Sequence, residues 1–160
     1  MKLFYFKPLQ VCLLLAVSFA NVALGAGAVI SQSAGEVADR VVTTREVHIA
    51  TLIDSVIFPQ KDKVYSSEFK LDSAETSREV TALLLEIVVF MEAENFSVVR
   101  ATDEQINEAL RKAEKALEGK PVWASLEVSN AELKKIVTQK LVAKGFIRFK
   151  TSSMVGVISD

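Results

Sequence analysis

Side chains able to attack a substrate, move protons or bind a metal are scarce in this sequence. His48 is the only histidine and Cys12 the only cysteine. A histidine works as a general base when a partner orients it. A lone one in a helical stretch reads as a surface or half-buried residue. Glu92 and Glu94 form a candidate carboxylate pair, but they sit late in a helical segment, where a solvent-exposed end is the simpler account. The other carboxylates lie beside lysines, the pattern of a solvated face. No glycine-rich phosphate loop and no metal-ligand spacing occurs. Asn95-Phe96-Ser97 matches a glycosylation sequon, which has meaning only in a secreted eukaryotic protein. The chain is therefore expected to be no enzyme, with no metal and no cofactor.

The elements that would position any site are announced by helix caps. In a capping box a Ser or Thr oxygen accepts the amide three residues on, and a Glu or Gln there reaches back to the cap amide. Thr43 with Glu46, Thr76 with Glu79, Thr102 with Gln105 and Ser129 with Glu132 all fit, each ahead of an apolar pattern of helical period. The spacing predicts helices over 44–58, 77–94, 103–118 and 130–149. The first stops before Pro59, whose ring disfavours helix in the preceding residue. The second is apolar nearly all round, with Val80, Leu83, Leu84, Ile87, Val88 and Met91 on one stripe and Leu85, Val89 and Phe90 beyond it. Such a helix is expected at the centre, buried on several sides. The third is a clean amphipath closed by Gly119. The fourth carries Leu133, Ile136, Val137 and Leu141, with Lys134, Lys135, Lys140 and Lys144 read as covering the rest. Apolar runs at 36–42 and 154–158 are candidate strands, and 60–72 reads as a loop. The fold class is mainly α: about four helices around an apolar central one, with at most a two-stranded β patch from the two ends of the mature chain.

The N-terminus has the three parts of a secretory signal: cations at Lys2 and Lys7, an apolar run over 11–20, and small residues at 23–28. Cleavage is expected after Gly25 or Ala28, leaving one helical domain over 29–160. Cys12 lies at the start of the apolar run, the wrong end for lipid attachment. The mature chain then has no thiol, so burial of apolar surface must hold it together. Loss of the two lysines takes the cations from 19 to 17 against 20 acids, a formal charge of −3. That balance argues against a nucleic-acid partner, which calls for a basic patch.

The order of segments is similar to that of a known family. A short strand leads into Thr43-Thr44-Arg45-Glu46-Val47, and an apolar helix ends in Met91-Glu92-Ala93-Glu94. Ala101-Thr102-Asp103-Glu104-Gln105-Ile106 follows, and Val128-Ser129-Asn130-Ala131-Glu132-Leu133 opens a helix that runs into Phe146-Ile147-Arg148-Phe149. This resembles the N-terminal domain of SurA-type periplasmic chaperones, relatives of the peptide-binding part of trigger factor. Ala38-Asp39-Arg40 departs from it, since relatives often have Asn-Gly there. The resemblance implies a periplasmic holdase of a Gram-negative bacterium that shields unfolded polypeptide, outer-membrane proteins above all, without ATP. The sequence ends at Asp160, about where a link into a parvulin module would start, so isomerase activity is not carried over.

In typical members a helix from beyond those modules completes the domain. Without it an apolar face needs a cover: a second copy, a separate partner or a client peptide. Exposed contiguous apolar surface marks interaction sites. The candidate groove residues are Phe58, Phe69, Trp123, Phe146 and Phe149, set against the simpler account that these aromatics fill the core. The alternative function is an adaptor that uses the same helices for one dedicated partner or for homodimerisation.

Overall fold

The computed structural model describes residues 31–60 and 73–158, so the expected signal over 1–28, Phe69 and most of the expected loop over 60–72 lie outside the described residues. The first described element is a hairpin of β1 (Ser33–Val37) and β2 (Arg40–Thr43). The strands run antiparallel with Val37 opposite Arg40 and Gly35 opposite Val42, and a bulge falls between Ser33 and Gly35. Ala38 and Asp39 make the turn, which places Ala38 at φ 52°. A left-handed conformation costs an L-residue with a Cβ roughly 1–2 kcal/mol, and Asn bears it better. Ala38→Asn should therefore raise stability by about 1 kcal/mol, read as a higher midpoint in chemical unfolding.

Thr43 ends β2 and caps α1 (Thr44–Ile57). Its hydroxyl accepts the Glu46 amide at 3.2 Å, and the Glu46 carboxylate accepts the Thr43 amide at 2.9 Å. The helix stops at Phe58, one residue before the proline. α2 (Ala74–Phe96) starts earlier than the Thr76 box predicts. Ser73 is the cap, accepting the Thr76 amide at 3.1 Å, and Thr76 is buried in the first turn. Glu79 accepts a hydrogen bond from the Thr51 hydroxyl on α1. α3 (Asp103–Leu117) has the expected Thr102–Gln105 box and ends before Gly119 at φ 75°. A short helix that the cap patterns do not announce, α4 (Pro121–Ser125), begins with proline at its first position, where no amide is needed. α5 (Asn130–Ile158) opens with Ser129 accepting the Glu132 amide, but the Glu132 side chain turns away to Arg45, so only half the box forms.

Among the described residues the architecture is mainly helical with one small antiparallel sheet. The sheet is the local hairpin, not a pairing of the chain's two ends: residues 154–158, expected as a strand, continue α5. Nothing between Phe149 and Met154 breaks a helix, so the run simply propagates.

Among the described residues, three apolar clusters hold the elements together. Ile49, Leu52 and Ile53 of α1 meet Ala113 and Leu117 of α3 and Leu133 and Val137 of α5. Val42, Val47, Ala50, Leu83 and Ile87 join the hairpin, α1 and α2. Ala93, Val142 and Phe146 join α2 to α5. In this last contact a Cβ on Gly145 would come 2.7 Å from Val99 Cγ1, which explains a glycine inside a helix. α2 is not enclosed on several sides as its composition suggests. β1, α1 and α5 pack along one side of it, and Leu85, Val88 and Met91 face outward with 60%, 47% and 43% exposure.

Candidate binding cleft

Three helices meet around one lysine. Lys140 of α5, expected on the surface, has a side chain only 1% exposed. Its Nζ donates to Asp54 Oδ2 of α1 at 2.7 Å and to Glu86 Oε2 of α2 at 3.0 Å. Gln139 Nε2 donates to the other Glu86 oxygen at 3.4 Å, and Arg40 Nη1 donates to Gln139 Oε1 at 3.5 Å. Arg40 also pairs with Glu46 at 2.8 Å, so the polar chain runs back to the α1 cap.

Taking ions out of water costs several kcal/mol each, and pairing must offset it. Two carboxylates around one ammonium leave a surplus negative charge in the junction. Burial pushes the Glu86 carboxyl up from its ordinary range; Lys140 pulls against this, and the Asp54 charge adds to the rise. Asp54 Oδ1 is buried and receives no hydrogen bond. A second ionic tie is more ordinary. Arg45 forks onto both Glu132 oxygens at 2.6 and 3.0 Å and donates to the Leu126 carbonyl, locking α1 to the start of α5. The Arg45 hydrogen bond holds the Glu132 carboxyl below its usual range.

Above Lys140 lies a cleft of about 220 Å³ between α1, α2 and α5. Asp54, Glu86 and Lys140 form its floor, and Phe58, Leu83, Leu85, Val89 and Ile147 supply apolar walls. Lys144 lines one side with its Nζ 4.2 Å from the centre of the Phe58 ring. Leu85 and Ile147 are 60% and 52% exposed. From Leu85, Val88 and Met91 continue the apolar row along α2 at three-residue steps, which places them on neighbouring turns of one face.

The five aromatics expected to share a groove are not brought together. Phe58 is half-buried and lines the cleft. Phe69 lies outside the described residues. Trp123 packs half-buried on the first core cluster. Phe146 is 5% exposed and fills the third, with its ring stacked 6.1 Å from that of Phe96. Phe149 is 45% exposed and is not part of the cleft wall. The residues that do line it and were missed are Leu83, Leu85, Val89 and Ile147. For Leu85 and Val89 the signal was the apolar surface of α2 beyond its main stripe; Leu83 lies on that stripe, and Ile147 belongs to the apolar end of α5.

His48 sits on α1 outside the cleft, and burial pushes its imidazole below its ordinary value. Among the described residues no three His, Cys, Asp or Glu side chains converge to hold a metal ion, and no helix is long and apolar enough to cross a membrane. Comparison with protein-family models, curated proteins and solved structures gives no match.

Proposed function

We propose that this chain is an exported, chaperone-like module that holds extended apolar polypeptide without ATP and without isomerase activity. The observation that carries the reading is the open cleft of α1, α2 and α5, with exposed Leu85 and Ile147 at its mouth and Val88 and Met91 beside it. Exposed apolar rows of this kind are sites where a soluble domain meets a partner. The ammonium of Lys140 in the floor is already engaged by Asp54 and Glu86, which leaves the apolar walls to supply the attraction. The signal-like N-terminus and the resemblance to SurA-type chaperones support the same reading and suggest the periplasm as its place.

The test is suppression of aggregation of an unfolded outer-membrane protein by near-stoichiometric amounts of the purified chain, with no nucleotide added. Leu85→Asp should abolish the effect while the melting curve stays in place, because Leu85 is exposed. Loss of one buried leucine contact, about 1.5–3 kcal/mol, corresponds to roughly a tenfold or greater loss of affinity. Full suppression by the variant would send the binding surface elsewhere. No suppression by the unaltered, folded chain would favour an adaptor with one dedicated partner.

A further inference from the structure

We propose that the Asp54–Glu86–Lys140 junction is a proton-linked control on the cleft: covering it with an apolar polypeptide segment draws one proton onto Glu86, so the grip tightens in mild acid. The inference rests on the polypeptide-binding reading of the same cleft. Its physical basis is a count of charges in a confined place. Two carboxylates face one ammonium, and the side-chain exposures of Asp54, Glu86 and Lys140 are 27%, 13% and 1%. Water at the mouth of the cleft is what still solvates the surplus charge. An apolar segment laid across Phe58, Leu83 and Ile147 removes that water and makes the charge more costly. A proton from solvent, bonded to a Glu86 carboxylate oxygen, leaves Lys140 and Asp54 as a neutral pair at 2.7 Å.

Glu86 is the acceptor because it is the more buried acid and has the longer contact to Lys140, 3.0 Å against 2.7 Å. Burial already holds its carboxyl above the ordinary range in the open cleft. Among the described residues, the charged groups around it are Asp54 of α1, Lys140 and Lys144 of α5, Glu79 on α2 itself, and Arg40 of β2 reached through Gln139.

The sign follows from linkage. A carboxyl raised in the folded chain contributes its stability in full below its unfolded value and loses it as pH rises through the raised value. Covering the cleft raises Glu86 further. Affinity therefore increases as pH falls through the window between the covered and open values, by no more than about tenfold per pH unit for one proton. His48 has the opposite sense: burial lowers it, so its titration weakens the fold as pH falls.

The experiment measures binding of a fluorescein-labelled, uncharged apolar peptide to the purified chain by anisotropy between about pH 8 and about pH 5. Calorimetry in two buffers of different ionisation enthalpy counts the protons. The expected result is several-fold tighter binding at the acid end, with uptake of up to one proton. Glu86→Gln should remove the slope whatever its absolute affinity, and His48→Gln should keep it. A flat profile in the unaltered chain, or a slope that survives Glu86→Gln, overturns the control and leaves the polypeptide-binding reading standing. No binding at any pH overturns both. Carbon-13 titration of the free, unaltered chain needs no variant to fold: a Glu86 carboxyl titrating with the ordinary glutamates overturns the control as well.

Discussion

Lys140→Ala should unfold far more readily than the unaltered chain, at a cost of about 3–5 kcal/mol. Removing the ammonium strips Asp54 and Glu86 of their shared donor and leaves two carboxylates facing each other in the junction of α1, α2 and α5. Domain stabilities are about 5–15 kcal/mol, so such a loss takes a large share of the whole. The midpoint and slope of denaturant unfolding measure it. The deficit should shrink in mild acid, where protons take over the work of the lost cation. The double variant Lys140→Met, Glu86→Gln should recover part of the loss, because one surplus charge is gone and the methionine stem fills the space of the lysine. A cost below about 0.5 kcal/mol is the mark of an ordinary surface lysine and would overturn the buried junction.

Phe146→Ala should cost about 3–5 kcal/mol, the range for emptying an aromatic from a packed core. Its ring fills the cluster of Ala93 and Val142 with Phe90 and Val99 packed around it, and it stacks on Phe96. Phe149→Ala, three residues on, should change stability by less than about 0.5 kcal/mol, since that ring is 45% exposed. Thermal unfolding of the two variants side by side separates them. Equal losses would mean that α5 is packed beyond Phe146. Any loss of aggregation suppression in Phe146→Ala then has to be read against its melting, whereas in Leu85→Asp it does not.

The helices were legible because caps are local chemistry. Thr43 and Thr102 need only a Glu or Gln three residues later, and both boxes form as the spacing requires. Thr76 misled because Ser73 stands three residues before it and offers an equally good cap one turn earlier. Residues 154–158 are too short an apolar run for periodicity to choose between strand and helix. The side that α2 leaves open was invisible, since apolar residues all round say nothing about how many neighbours the chain can provide. Lys140 was hidden by its type. Its spacing held the clue: positions 133, 137, 140 and 144 step by four, three and four, so Lys140 continues the row of Leu133 and Val137 toward the cleft. The aromatic set failed for a related reason, because ring chemistry does not say which face of a helix a residue occupies.

α5 has 29 residues, a rod of about 43 Å. Its packed row ends at Phe146, and every residue from Ile147 to Ser153 is exposed. Along this stretch the Lys150 ammonium sits 4.5 Å from the centre of the Phe96 ring, a contact worth about 0.5–1 kcal/mol at an exposed site. Backbone amides before Phe146 open only when the fold opens, while those beyond it open by fraying. In deuterated water the helix thus carries a gradient of exchange, slow at Val137 and fast beyond Lys150. The boundary falls at Lys144 and Ile147, within the wall of the cleft.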